Sequence, residues 1–457
     1  MNGRPVRRWA AMAVALSMVL AACADDDGEV ADDADDGTED TDDTDDTDDT
    51  DGDDSDADDD DGDASAEPEG DPITIGGSLA LTGIFASTAE IHDIVADEYV
   101  EMLNENGGLL GRPVEWTVLD DESEADQSAA LYERLITQDE VDLVMGPYGT
   151  GSITAAMQVA ERYGYVFPHH TASLTYAYTY EKHFPTWFVG LNTHQTTPRK
   201  VFEAYQTLDD APETVTFVTN RFPGTDFLVY GVDEGEGALE AGGGAARVAE
   251  DMGLEVVETL DFDTGTTDFS GIAGRVAEAD ADLLYVGGLG VDGPNLLAAL
   301  EQQDYQPRHQ FHQWPSPGPM LAAGDVADGA TSVTIFEPFE PYLSNEGGQE
   351  LYERYTSAAE EAGLDYTNPE TQAGASWAAW QVLTAGVEGC ECLDHDEIAD
   401  WLLNNPIETV QGTFEYREDE QNYGDDIQTI KQIQDGEWYV VWPDDQASEG
   451  REMRGSS

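Results

Sequence analysis

Thr150 and Ser152 in one short turn, and Thr171 and Ser173 in another, are the residues of this chain best suited to hold an anion. They stand in the stretch DLVMGPYGTGSITAAMQVAERYGYVFPHHTAS, residues 142–173. Leu143-Val144-Met145 is a short apolar run broken by Gly146, Pro147 and Gly149, the pattern of the carboxyl end of a buried parallel strand. Ile153, Ala156, Met157 and Ala160 recur at helical spacing, and Tyr165-Val166-Phe167 reads as the next strand. Both hydroxyl turns then lie side by side on one edge of an open α/β sheet, and the free amides of Gly151 and Ser152 open a helix there. The chemistry this predicts is noncovalent capture of a ligand carboxylate or other anion. A hydrolase would need an activated nucleophile, and none of Thr150, Ser152 and Ser173 has an evident base, so no catalytic residue is predicted.

This stretch resembles the corresponding part of the leucine/isoleucine/valine-type periplasmic solute-binding proteins, the type I "Venus flytrap" receptors of ABC importers. Further matching pieces follow in order between about Ile73 and Pro443: Leu81-Thr82-Gly83, Asn104-Glu105-Asn106-Gly107-Gly108, Leu110-Gly111-Arg112-Pro113, Asp120-Asp121, Thr267-Asp268-Phe269 and Gln434-Asp435-Gly436. The resemblance implies an α/β fold of two lobes, each a parallel-sheet α/β sandwich, with a ligand cleft between them. Three crossings are expected, near Asn192, near Pro338 and near Gly412 to Asp425. Lobe 1 would comprise residues 73–192 and 338–412, lobe 2 residues 193–337 and 413–443, with 444–457 a C-terminal tail. In that family the position of Thr150 supplies a hydroxyl, and the triplet matched by Thr171-Ala172-Ser173 holds the ligand's α-carboxylate and amine. A small-molecule ligand and the permease and ATPase subunits of an importer are the implied partners, with no cofactor and a monomeric state. A sensory receptor domain of the same fold, passing its closed state to a signalling partner, is the alternative.

The ligand itself is not implied, because the chain departs from the family where the amine is met. The second-lobe position that gives amino-acid binders a carboxylate holds Trp314-Pro315-Ser316, and the usual tyrosine of that lobe's first loop has no clear match between Asn220 and Phe227. Asp226 and Asp292 are the candidate replacements, and Tyr148, Phe222 and Trp314 are candidates for an aromatic lining. A buried ammonium needs a counter-charge, so one of those aspartates must point inward if the ligand is an amino acid. Branched-chain or other amino acids, amides and aromatic acids stay open. The adjacent His169-His170 falls at a strand end facing the cleft, with at least one of the pair read as packing.

Ahead of this body, Arg4, Arg7 and Arg8 precede an apolar run from Trp9 to Ala22 that ends Leu20-Ala21-Ala22-Cys23. A basic start, an apolar core too short for a span and a small-residue stop make a secretory signal, residues 1–23. Cys23 resembles the lipidated cysteine of a bacterial lipoprotein box, which implies a protein anchored to the outer face of the cell membrane. The Arg7-Arg8 pair matches twin-arginine export poorly and leaves the route open. Residues 24–72 hold 28 acids and no base, including TDDTDDTDDTD. Such a segment buries no apolar area and repels itself, so a disordered tether is expected.

The body keeps 70 acids against 15 bases, a net charge near −55, and its only lysines are Lys182, Lys200 and Lys431. Nucleic acid and anionic membrane surfaces are excluded as partners on that ground. Acid spread through every helix suggests solubility in high salt, where screening removes self-repulsion.

Strand–helix alternation from Ile73 to His312 predicts parallel sheets covered by helices on both faces. Expected strands include Trp187-Phe188-Val189, Val333 to Phe336 and Thr413 to Tyr416, and Asn368-Pro369 is expected to cap a helix. Gly288-Leu289-Gly290-Val291-Asp292-Gly293 fits a dinucleotide fingerprint locally, but the ribose-binding acid some 20 residues on is missing, so it reads as a tight βα turn. Cys390 and Cys392 are expected to pair as a disulfide rather than bind metal, and no metal site is predicted.

Overall fold

The computed structural model describes residues 67–172, 180–232 and 241–455. The chain begins with β1 (Ile73–Leu79), α1 (Ala86–Glu105), β2 (Val114–Asp120), α2 (Ala125–Thr137), β3 (Leu143–Val144), α3 (Thr150–Tyr163), β4 (Phe167–His169) and β5 (His183–Pro185). β1 lies between β2 and β3 and runs parallel to both, Ile73 opposite Val114 and Ile75 opposite Leu143. The Gly146 amide donates to the Pro168 carbonyl at 2.9 Å and links this sheet to the parallel pair β4–β5. Only glycine fits there, since a Cβ at Gly146 would fall 2.6 Å from that of His169.

The chain then crosses to a second lobe through α4 (Thr193–Tyr205), β6 (Thr214–Asn220), α5 (Pro223–Tyr230), α6 (Ala245–Asp251), β7 (Glu255–Phe262), α7 (Ser270–Ala279), β8 (Leu283–Gly287), α8 (Asp292–Glu301), β9 (His309–His312), α9 (Pro317–Ala322) and β10 (Thr331–Thr334). It returns to the first lobe for α10 (Gly348–Ala362), α11 (Thr371–Cys390), α12 (His395–Asn404), β11 (Ile407–Thr409) and β12 (Gly412–Phe414). It ends in the second lobe with β13 (Thr429–Gln434) and β14 (Glu437–Trp442). The second sheet has the order β14-β13-β10-β9-β8-β6-β7. Its strands are parallel except for β13 and β14, which add an antiparallel edge.

Each sheet is covered on both faces, and alternation along the strands decides which face each residue serves. Leu283 and Tyr285 of β8 pack with Phe202, Tyr205 and Val248 of α4 and α6, while Leu284 and Val286 pack with Val276, Leu296 and Leu300 of α7 and α8. In the first lobe, Ile73 and Ile75 pack with Val95, Tyr99, Trp377 and Leu402 of α1, α11 and α12. Val144 on the opposite face packs with Tyr132, Leu135, Ile153 and Met157 of α2 and α3. The fold is thus α/β with two lobes, as expected.

Four local expectations are corrected. Trp187-Phe188-Val189 is not a strand: it is the first interlobe crossing, kinked by a bond from the Val189 amide to the Trp187 carbonyl, and apolar because it is buried at the junction. The strand expected at Val333 to Phe336 is β10, which ends at Thr334, because the chain leaves the sheet there for the second crossing. The cap of α11 is Glu370, whose carboxylate accepts from the Gln372 amide at 3.0 Å, rather than Asn368. Residues 413–425 stay with the first lobe, held by Tyr416 to the Pro185 carbonyl and by Asn422 to the carbonyls of Glu181 and His183. The third crossing follows, where the Ile427 amide donates to the Phe188 carbonyl of the first at 3.2 Å. Cys390 and Cys392 are joined by a disulfide at the end of α11.

The junction between lobes holds a buried charge cluster. Lys431 on β13 donates to Glu337, just past β10, at 2.5 Å, and the two are 2% and 0% exposed. Thr334 donates to the same carboxylate oxygen at 2.8 Å and bonds the Thr371 hydroxyl, at the start of α11, at 2.6 Å. Burial raises the Glu370 carboxyl to about 7, against the pull of the Lys431 charge.

Candidate functional site

On the first lobe the turn after β3 and the turn after β4 meet. Gly149, at φ 86°, caps α3 and lets the chain enter the helix from a backbone conformation that a side chain would strain. The first-turn amides of Thr150, Gly151 and Ser152 therefore have no acceptor within the helix. The Gly149 amide donates to the Thr171 hydroxyl at 3.2 Å, which binds the two turns together, and the same hydroxyl bonds His170 Nδ1 at 3.3 Å. Thr150 is half-buried at the head of α3 and Ser152 is buried. Ser173, the fourth predicted hydroxyl, lies outside the described residues.

Beside these turns runs a continuous aromatic row. His170 stacks on His92 at 4.0 Å between ring centres, His92 meets Tyr148 at 5.1 Å, and Tyr148 meets Phe85 edge-on at 5.6 Å. Phe85 lies 6.4 Å from Phe222, so the row passes from one lobe to the other. A Cβ at Gly224 would sit 3.1 Å from the Phe222 ring and 3.7 Å from Trp314, and Trp314 in turn meets Trp187 edge-on at 6.3 Å. Tyr148 is thus linked to Phe222 through Phe85, and Phe222 and Trp314 both lie beside Gly224. Burial pushes the Tyr148 phenol up to about 12 and the His170 imidazole down to about 3, so both face the row uncharged at neutral pH.

Phe85 and His92 were not foreseen. Phe85 closes the loop that begins Leu81-Thr82-Gly83, and position on that loop is the signal that would have found it. His92 looks like any buried helix position, because only its stacking partner distinguishes it. Behind the row, His183 Nε2 bonds the Gln421 carbonyl at 2.8 Å, which leaves its Nδ1 to accept from His169 Nε2 at 3.1 Å. His169 Nδ1 is then a bare, buried acceptor, and this histidine packs rather than lines the cleft.

The second lobe positions its part through Asn220 at the end of β6. Its carbonyl oxygen accepts from the Phe222 amide at 3.1 Å and the Thr264 hydroxyl at 2.7 Å, and its amide donates to Asp292 at 2.8 Å. Asp292 also accepts from the Leu289 amide at 2.9 Å, so it braces the glycine turn between β8 and α8. That turn is laced to Trp314, whose carbonyl accepts from the Gly290 amide at 3.1 Å and which adopts φ 46°. Asp226 is paired instead with Arg221, Oδ1 to Nη1 at 2.7 Å. Burial raises the carboxyls of both Asp226 and Asp292 from their usual range. Among the described residues no group of three or more histidines, cysteines and acids is arranged to hold a metal ion.

A sequence profile described as periplasmic binding protein matches residues 72–436. The chain belongs to that family. Among the curated relatives of this binding protein is the leucine-, isoleucine-, valine-, threonine- and alanine-binding protein of Pseudomonas aeruginosa, 23% identical over 362 residues, which cover 78% of this chain and 89% of the relative. Among solved structures, an amino acid ABC transporter substrate-binding protein from Pseudomonas fluorescens Pf-5 aligns with a TM-score of 0.66 at 17% identity, covering 82% of this chain and 97% of that one. A solute-binding protein of an ABC transporter from R. palustris, in complex with benzoate, aligns with a TM-score of 0.64 at 18% identity, covering 81% and 95%. The binding protein shares their fold. No helix among its described residues is long and apolar enough to cross a membrane.

Proposed function

We propose that this chain is the extracytoplasmic solute-binding component of an ABC importer, capturing a small carboxylated ligand between its lobes and delivering it to a permease driven by an ATPase subunit. The observation that carries the reading is the meeting of the α3 amino end with the Thr171 hydroxyl on one lobe, facing an aromatic row that continues to Phe222 and Trp314 on the other. Amide and hydroxyl donors suit a carboxylate, and the flat row suits its carbon skeleton. Relatives named for amino acids and a neighbour holding benzoate have the carboxylate in common, which supports the same choice here. The reading is binding without catalysis. Cys23, outside the described residues, would carry the lipid that anchors the protein to the outer face of the cell membrane, and the binding unit would be a monomer.

Thermal-shift screening of amino acids, amides and aromatic acids in molar salt tests this, since a ligand at 100 times its Kd adds roughly 2.7 kcal/mol. With the ligand in hand, Thr150→Ala should weaken binding roughly 10- to 150-fold, the worth of one hydrogen bond to a charged group at about 1.5–3 kcal/mol. A variant that melts earlier yet binds as tightly as wild type would reduce Thr150 to a local cap and remove the site.

A further inference from the structure

Among the described residues, the aspartates beside the cleft that could meet a ligand's ammonium are already engaged within the protein, and Glu337 and Glu370 at the lobe junction share the Lys431 charge. Asp226 contacts the Arg221 guanidinium at 2.7 Å, so an incoming ammonium would compete with a cation in place. Asp292 is 7% exposed, and its Oδ2 accepts from both Asn220 and the Leu289 amide. On the first lobe Asp121 accepts from the Ser78 hydroxyl at 2.9 Å and the Ser123 amide at 3.1 Å, while Asp120 accepts from the Thr82 hydroxyl at 2.7 Å and its amide at 3.1 Å. These bonds hold loops in place, and turning any of these carboxylates toward a ligand would break them.

What the second lobe does offer at the end of β9 is neutral. The Trp314 indole N–H is buried with no acceptor, and the side-chain amide of Gln313, 2% exposed, has neither its oxygen nor its nitrogen bonded. Orphaned neutral groups of this kind are rare unless something bound completes them. An ammonium placed there would exchange its water for ring faces and one amide oxygen, with no carboxylate turned toward it to balance its charge.

Resting on the reading of the cleft as a carboxylate site, we propose that it selects acids carrying no α-ammonium group: aromatic or branched aliphatic carboxylates whose carbon skeleton lies along Phe85, Tyr148, Phe222 and Trp314. The carboxylate is held at the head of α3, and the far end of the ligand meets only rings and neutral hydrogen-bonding groups. The difference between an amino acid and its desamino counterpart then measures the lost solvation of the ammonium directly.

The test is calorimetry on the full chain in molar salt with two matched pairs, leucine against 4-methylpentanoate and phenylalanine against 3-phenylpropanoate. In each pair the desamino acid should bind at least about tenfold more tightly, and a Trp314→Ala variant should weaken both desamino acids. Leucine or phenylalanine binding as tightly as its partner overturns the inference and leaves carboxylate capture standing. If no member of either pair binds, while a neutral or cationic solute raises the melting temperature or nothing does, both the inference and the carboxylate reading fall.

Discussion

Replacing Lys431 by methionine tests the junction between the lobes. The Lys431 ammonium sits 2.5 Å from Glu337 and 4.8 Å from the centre of the Trp438 ring, with almost no exposure of either charged partner. Methionine keeps most of the side-chain volume and the contact with Trp438 while removing the charge. It strands the Glu337 carboxylate with Thr334 as its one remaining donor, and the second carboxylate oxygen is already buried without a partner. Breaking a buried pair from one side costs about 3–5 kcal/mol, because the cost is that of an uncompensated buried charge. At roughly 2–4 °C per kcal/mol for a lobe of this size, the melting temperature should fall by roughly 6–20 °C. The double variant Lys431→Met/Glu337→Leu should recover most of that loss, since an apolar pair of similar volume leaves no charge behind. Urea unfolding in molar salt, followed by tryptophan fluorescence, gives the four corners of the cycle. A single Lys431→Met loss below about 1 kcal/mol, or two single losses that simply add in the double variant, would refute the coupling.

The remaining predictions concern acid, salt and the anchor. Burial holds His170 and His312 down to about 3 and His183 and His395 to about 4, against 6.5 when unfolded, so only the unfolded chain takes up these protons as pH falls below about 6.5. Stability should therefore be full above that pH and fall by about 1.4 kcal/mol per unit per histidine below it, partly offset by Glu370, which is raised to about 7 and works in the opposite direction. A urea midpoint that is flat between pH 7.5 and 5 in molar salt would contradict this. If the acidity adapts the protein to salt, its net charge near −55 in the body should lower the melting temperature when molar salt is replaced by millimolar, and a flat profile would count against it. Cys23→Ala should abolish fatty-acid labelling and release the protein from membranes, and unchanged retention would remove the lipid anchor.

The sequence was most informative where one residue's environment is set by its neighbours along the chain. β1, β6 and β8 were legible because runs such as Leu283 to Val286 are apolar on both faces, which only a covered parallel strand needs. The Thr150 turn was legible because glycines and hydroxyls stand between a strand and a helix. Trp187 to Val189 was misread because an apolar triplet buried by a crossing looks the same as one buried in a ladder. Asp226 and Asp292 had the right type to meet an ammonium, but their partners, Arg221 and Asn220, are fixed by loop geometry that spacing does not encode. Tyr423 reaches the Ala172 carbonyl from 251 residues away, and no local pattern marks such a contact.

The return of the chain to the first lobe also bears on the order in which this molecule can be assembled. The Tyr99 hydroxyl on α1 meets that of Thr384 on α11 at 3.0 Å across 285 residues, and Val95 and Tyr99 share one core with Trp377, Trp380 and Leu402. Synthesis releases the amino-terminal end first, so one face of the first sheet must wait, uncovered, until almost the whole second lobe has emerged. The second lobe lacks only its antiparallel edge by then, and it can collapse while the first cannot. Long-range closure of this kind slows folding and prolongs the exposure of Ile73, Val95 and Tyr99. Dense acid on the helices that flank them would keep nascent copies apart during that interval, a use for the charge that needs no particular medium.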